Sequence, residues 1–339
     1  MSFDEIRGQE RATKILRQTI ANDHLAQTYL FHGPDGVGKK KTAMAFAKAL
    51  NCDTHSEDAC GHCLSCRKIS EGIHPDVTLL QQEKGEIKIG AIREIISGMI
   101  YRPLEARKRV VIIDEADKCN LQASNAFLKT LEEPPVETVI ILVSSNPDLL
   151  PQTVLSRCRR VSFSSIPARI IADILVQKNG LASSAAENAA YLADGSIGKA
   201  IALASTDVQQ VRGDILEGLA GREATPGILF DLAERYSKDE GLFYDALYWF
   251  STYFRDILVL KSGGGLTLII NKDLQASLSE IGDKISEEGL LEILNFIQSI
   301  YKGQERNMNR QLALDVLGTK IMEALALKKC PSAASGLRI

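Results

Sequence analysis

One stretch, QTYLFHGPDGVGKKKTAMAFAKAL from Gln27 to Leu50, limits the possible folds more than any other. Its first part, QTYLFHGP, is a short apolar run of strand type that ends at a glycine loop. Its last part, KTAMAFAKAL, has helical periodicity and few turn residues. Strand, glycine loop and helix in that order are the setting in which Gly33-x-x-x-x-Gly38-Lys39 reads as a phosphate-binding P-loop and not as a chance turn. Glycine lets the backbone fold so that N–H groups converge on phosphate oxygens, and the helix start adds partial positive charge. Gly33, Gly36, Gly38 and Lys39 are therefore the expected cradle. The next residue breaks the pattern. A Ser or Thr hydroxyl belongs there as a Mg²⁺ ligand, and this chain has Lys40. Thr42 cannot stand in, because two residues along a helix turn a side chain by roughly 200°, onto the opposite face. The Lys40 ammonium can neutralise phosphate charge beside Lys39, but it cannot ligate a cation.

In KRVVIIDEADKCN (Lys108 to Asn120), Val110 to Ile113 form a run typical of a buried parallel strand, ending in Asp114 and Glu115. A carboxylate at such a strand end can hold the water shell of Mg²⁺, and a second can activate an attacking water. The same two acids could equally be polar strand-end residues kept for packing or capping. A third strand, TVIILVSSNPDLL (Thr138 to Leu150), runs into Ser145 and Asn146, which can reach a terminal phosphate or its water. Residues 1–165 thus read as an α/β nucleotide-binding fold with a parallel sheet and helices.

A second constellation sits in NCDTHSEDACGHCLSCRKI, where Cys52, Cys60, Cys63 and Cys66 have the spacing C-x7-C-x2-C-x2-C. Four thiolates so close in sequence can close a tetrahedral zinc site, and the overlapping C-x2-C turns aim sulfurs inward. His55 and His62 lie near enough to be substitute ligands, and free reduced thiols are the plainer alternative. The segment has few apolar residues, so metal binding would supply its folding energy. Cys119, Cys158 and Cys330 are scattered and read as packing residues.

A formal net charge of −3 gives no overall nucleic-acid signature, so contact with DNA would need a local patch or partner subunits. Arg107, Lys108 and Arg109 form a basic cluster that reads as a solvated turn or, less simply, a DNA-facing patch. The amino-terminal MSFDEIRGQERATKIL lacks an apolar signal-peptide core, and no apolar run approaches membrane-spanning length. The expectation is a soluble cytoplasmic protein whose cysteines favour metal over disulfides. Past residue 165 the pattern turns helical. Leu242, Leu247, Phe250, Phe254, Ile257 and Leu258 share overlapping helical faces, as do Leu290, Ile293, Leu294, Ile297 and Tyr301, and then Leu314, Leu317, Ile321 and Leu325. KSGGGLT (Lys261 to Thr267) breaks two of these helices apart. His24, His32 and His74 show no ligand spacing.

With NAFLKTLEEPP (Asn125 to Pro135) and PQTVLSRCRRVSF added, the motifs resemble bacterial DNA polymerase III clamp-loader AAA+ subunits of the gamma/tau and delta-prime group. The resemblance begins at FDEIRGQERA and continues through GIHPDVTLL, IIDEADKCN, FLKTLEEPP and LSRC. It implies an AAA+ domain over 1–165 with a structural zinc module at 52–66, a helical lid over 166–208, a helical collar over 209–330 and a tail at 331–339. Family ATPases carry an arginine in a GSxR-like turn that touches the γ-phosphate. Here DGSIGKAIAL puts Gly198 at that place, with Lys199 beside it. Arg157, in LSRC, corresponds to the arginine finger inserted into the ATP site of the next subunit; its plain alternative is a surface ion pair at a strand entrance. With Lys40 and Gly198 in place, the chain resembles delta-prime, the non-hydrolysing member. Intact Lys39, Asp114 and Glu115 keep an ATP-hydrolysing gamma/tau-type motor open, and a zinc-dependent DNA-binding AAA+ protein outside replication is a further alternative. Binding of ATP with Mg²⁺ at the altered loop is left open. The implied partners are gamma/tau- and delta-type subunits in a hetero-oligomer, the sliding clamp, and primer–template DNA through the complex, with no membrane.

Overall fold

The computed structural model describes residues 2–54, 56–81, 86–99, 101–135, 137–220, 226–302 and 308–326. His55, Cys330 and the tail at 331–339 lie outside the described residues. The chain divides into two compact units: one runs to Asn179 and includes Ala193–Ala200, the other comprises Gly180–Leu192 and the chain from Ile201 onward.

The first unit is built on five strands: β1 (Thr28–His32), β2 (Val77–Leu80), β3 (Arg109–Ile113), β4 (Thr138–Ser144) and β5 (Arg159–Ser162). All neighbours pair in parallel, in the order β2-β3-β4-β1-β5. Its helices are α1 (Glu10–Ala21), α2 (Lys39–Leu50), α3 (Leu64–Glu71), α4 (Ile89–Met99), α5 (Leu121–Glu132), α6 (Gln152–Leu155) and α7 (Ala168–Asn179). Alternate strand residues serve opposite faces of the sheet. Tyr29, Phe31, Val110, Ile112, Val139, Ile141 and Val143 join the core that holds α1 and α2. Leu30, Val111, Ile113, Ile140 and Leu142 join the core that holds α4, α5 and α6. Because both faces are covered, the central strands are continuously apolar and not alternating, as parallel strands require. Alanines at 43, 45, 47 and 49 let α2 lie close to the sheet, and Phe46 fills the gap edge-on to Tyr29 at 5.3 Å.

Register decides where the loops meet. His32 pairs with Ser144, and Leu80 with Ile113. Gly33, Ser145, Gln81 and Asp114 therefore all leave the sheet at the carboxyl ends of its strands, the edge where open α/β sheets bind ligands.

The second unit is helical: α8 (Ser183–Leu192), α9 (Ile197–Leu203, which starts in the first unit), α10 (Thr206–Ala220), α11 (Pro226–Ser237), α12 (Glu240–Lys261), α13 (Gln275–Lys284), α14 (Glu287–Lys302) and α15 (Arg310–Ala326). The long α12 packs against α10, α11, α13 and α14. Phe243, Leu247, Phe250, Phe254 and Ile257 are buried along it. It ends at Lys261, where the glycine run begins. The returning chain is tied down by Asp256, whose fully buried carboxylate accepts N–H groups from Ile270 at 3.0 Å and Asn271 at 2.6 Å. No described helix is long and apolar enough to cross a membrane.

Candidate functional site

The glycine loop joins β1 to α2, as strand–loop–helix patterning anticipates. Lys39 is 5% exposed, and its Nζ donates to Gly33 O at 2.8 Å, Pro34 O at 2.6 Å and Ser145 Oγ at 3.0 Å. Burial pushes its pKa down, against the opposing pull of Asp35, Asp117 and Asp114. Ser145 thus stands beside the loop lysine. Its own N–H donates to Asp117 Oδ1 at 3.2 Å, which ties the loop after β4 to the turn after β3. Asn146 is exposed, and its carbonyl accepts the Leu149 N–H at 3.1 Å in the turn that follows.

Lys40 Nζ lies 3.2 Å from Asp114 Oδ2 and also donates to Gln81 Oε1. The Thr42 hydroxyl is fully buried and donates to Gly38 O at 3.0 Å, back along its own helix. Glu115 is turned by a left-handed backbone, φ +50°, and its carboxylate pairs with Lys118 at 2.8 Å. This donor set does not fit a Mg²⁺ ion held in the usual P-loop manner. The ligating hydroxyl is missing, and an ammonium sits on the strand-end carboxylate. Gln81 and Asp117 are site residues that sequence reasoning did not find. Only the position of Asp117, three residues after Asp114, hinted at it.

Glycine geometry closes the loop from above. Gly198 N–H donates to Gly36 O at 2.9 Å. A Cβ on Gly36 (φ +68°) would stand 2.1 Å from Ser196 Oγ, and one on Gly198 would meet Gly36 Cα at 3.2 Å. Backbone packs directly on backbone here. Lys199 donates its N–H to Ser196 Oγ at 3.2 Å, and burial pushes its side-chain pKa down.

The sulfurs of Cys52, Cys60, Cys63 and Cys66 all lie within 4.8 Å of one another, an arrangement that could hold a metal ion. Cys52 and Cys66 are buried, and α3 starts at Leu64, directly after Cys63. N–H groups of Cys60, Cys63 and Cys66 point at the sulfurs of Cys52, Cys60 and Cys63 at 3.2–3.4 Å, as they would toward thiolates. Burial pushes the Cys66 thiol up. For Cys52, burial is outweighed by donation from Cys60 and Thr54, which leaves it at about 6. His62 is outside this group of four, with its Nδ1 on Cys60 O at 2.9 Å, and His55 is outside the described residues. The segment is pinned to the body of the unit: Arg17 pairs with Asp58 at 2.8 Å, and Arg107 donates to Cys52 O at 2.7 Å.

Arg157 follows α6 at the entrance to β5. It is exposed and paired with Glu132 at the end of α5, and it also donates to Thr153 O at 2.7 Å. The expectation for the basic cluster needs correction at Arg109, which neither faces DNA nor lies in a solvated turn. Arg109 is buried, paired with Asp76 at 3.1 Å, and donates to Gly98 O and Tyr101 O at 2.6 Å. Cys119 and Cys158 pack against the α4–α6 side of the core, and burial pushes both thiols up to about 11.

The family model described as "DNA polymerase III, delta subunit" matches residues 8–167, and "DNA polymerase III, delta subunit, C terminal" matches residues 207–319. The chain belongs to the DNA polymerase III clamp-loader subunit family. Within it, the chain is similar to the tau subunit of Bacillus subtilis, at 27% identity over 95% of this chain and 61% of that protein. It therefore spans less than two thirds of that relative's length. It is also similar to the delta-prime subunit of Pseudomonas aeruginosa, at 29% identity over 86% of this chain and 90% of that one. A crystal structure of a gamma-subunit-related protein from Thermotoga maritima shares the fold, with a TM-score of 0.51 at 19% identity, covering 93% of this chain and 99% of the other. The fold is that of the AAA+ group: a parallel sheet with helices and a helical carboxyl-terminal part.

Proposed function

We propose that this chain is a delta-prime-like subunit of the clamp loader, which helps place the sliding clamp on primed DNA without hydrolysing ATP itself. The observation that carries this reading is the Lys40–Asp114 ion pair at 3.2 Å. Phosphoryl transfer depends on positioned charge along the transferred group and on an oriented water. Here Asp114 is engaged by an ammonium and Glu115 by Lys118, while Gly198 stands where family ATPases place an arginine. What this chain retains is a guanidinium that can serve a neighbour. Arg157 presents a planar fork suited to charge developing on a γ-phosphoryl group across a subunit boundary. Glu132 keeps it oriented at the surface until then.

In this reading residues 166–208 form the lid and 209–330 the collar of a cytoplasmic hetero-oligomer with gamma/tau- and delta-type subunits. Primer–template DNA is met through the complex. Cys52, Cys60, Cys63 and Cys66 hold one zinc ion in a closed four-sulfur site that folds the insert and leaves no position for catalysis. The reading is tested in the reconstituted complex. Arg157→Ala leaves the subunit folded and assembled yet lowers ATP turnover and clamp loading. Arginine fingers contribute on the order of 10³–10⁵ in rate in GTPase systems, and a loss of even tenfold would be diagnostic. Lys39→Ala has much the smaller effect. The reverse order would make the chain a gamma/tau-type motor, the reading that the unbroken Asp114–Glu115 pair favours.

A further inference from the structure

The altered loop carries a cation of its own. We infer that the Lys40 ammonium takes the place of the divalent ion, so that the cradle binds a metal-free polyphosphate, the tail of a nucleoside di- or triphosphate. The inference rests on the reading of a non-hydrolysing subunit and names the ligand of that same loop.

Three features point the same way. First, Lys40 Nζ is bonded to two oxygens, Asp114 Oδ2 and Gln81 Oε1, from the ends of two adjacent strands. Carboxylate and carbonyl oxygens of this kind serve hard divalent cations. The Asp114 side chain is only 14% exposed, so an ion competing for it would have to displace the ammonium from a largely covered position. Second, the next hydroxyl along the helix is committed elsewhere: Thr42 Oγ1 is buried and donates to Gly38 O. Third, the loop holds cations of its own without a metal. Lys39 makes its three hydrogen bonds to neutral oxygens, those of Gly33, Pro34 and Ser145, while Asp35, Asp117 and Asp114 also act on its charge. Lys40 has three N–H donors, and Asp114 and Gln81 take two. Lys40 is balanced by Asp114, so the Lys39 ammonium and the helix start are what an incoming polyphosphate meets, and the ammonium already seated on Asp114 repels a divalent ion.

The test is calorimetric titration of the natural chain with ATP, once with EDTA and once with excess Mg²⁺. The expected dissociation constants agree within about threefold, or the metal-free one is tighter. Lys40→Thr, which supplies the hydroxyl and releases Asp114, makes binding depend on Mg²⁺ by about tenfold or more. Lys40→Met, with neither charge nor ligand, loses binding in EDTA and is not rescued by Mg²⁺. Melting curves and zinc content verify that both variants are folded. A requirement for Mg²⁺ in the natural chain overturns the inference, as does the absence of ATP binding under both conditions, or a Lys40→Thr variant as indifferent to metal as its parent. Steady-state ATP turnover by the isolated natural chain would instead break the reading of a non-hydrolysing subunit. Mg²⁺-dependent binding without turnover breaks only this inference.

Discussion

Asp76 is fully buried, and its carboxylate gathers N–H groups from Leu104, Glu105 and Ala106 at 2.8–2.9 Å as well as the Arg109 guanidinium. Burial opposes its ionisation. The three backbone donors and Arg109 outweigh that and hold the carboxyl at about 2, below its ordinary range. A carboxyl depressed in the folded state stabilises at pH values above its unfolded pKa, and the contribution fades as pH falls through the folded one. Asp76→Asn leaves Arg109 buried without its counter-charge and is expected to cost about 3 kcal/mol or more at neutral pH. The difference in urea midpoint between the two proteins narrows as pH drops from about 4 toward about 2. A difference that stays constant down to pH 2 would mean that the carboxylate's charge contributes nothing. The same residues mark the limit of reading single positions from sequence. Arg109 lies in a basic triplet and looks like surface until Asp76, far away in sequence, is brought against it. Lys39, Lys40 and Asp114 are legible because a motif fixes their neighbours. Gln81 has no motif, and only the register of β2 on β3 carries it to Lys40.

At the level of elements, β1, β3 and β4 are legible because strands covered on both faces are unbroken apolar runs. The edge strands are not. In β5, RRVS, only Val161 is buried, and β2 has no fully buried residue, so neither forms a run. The stripe expected on α12 is incomplete for a related reason. Leu242 and Leu258 are only half-buried, while Trp249 and Tyr253 complete a core that surrounds this helix on more than one side. In the proposed zinc reading, the cysteine insert is an element whose order depends on its ligand. Among its described residues Cys52, Cys66 and Ala59 are buried and Cys60 and Cys63 partly so, too little apolar surface to fold alone. Cys63→Ser is therefore expected to abolish zinc content and to speed amide exchange across residues 52–71, while β1, β3 and β4 stay protected. Elemental analysis that finds no zinc in natural protein purified without chelator would remove the metal from this account.

At the scale of the whole molecule, the proposed role of Arg157 requires a residue held by its own chain to act on another. Arg157 is paired with Glu132, with the two side chains 34% and 50% exposed. Exposed pairs of this kind contribute about 0–1 kcal/mol, since water and salt screen them and two long side chains lose freedom. Exchanging Glu132 for a neighbour's phosphate oxygens is thus energetically easy, and the charge-assisted bonds gained are stronger. Glu132 comes from the LEEPP stretch and Arg157 from LSRC, and the packing of α5 against α6 puts the two motifs together. Their closeness sets the direction in which the guanidinium leaves the surface. Two outcomes are expected in the reconstituted complex. Glu132→Gln changes the subunit's stability by less than about 1 kcal/mol and does not lower turnover at saturating subunit concentration. Arg157→Lys keeps the charge but loses the planar fork, and its turnover falls between those of the natural chain and Arg157→Ala. Should Glu132→Gln abolish turnover as completely as Arg157→Ala, the ion pair itself would be the working unit, and Arg157 would act by holding its own subunit together.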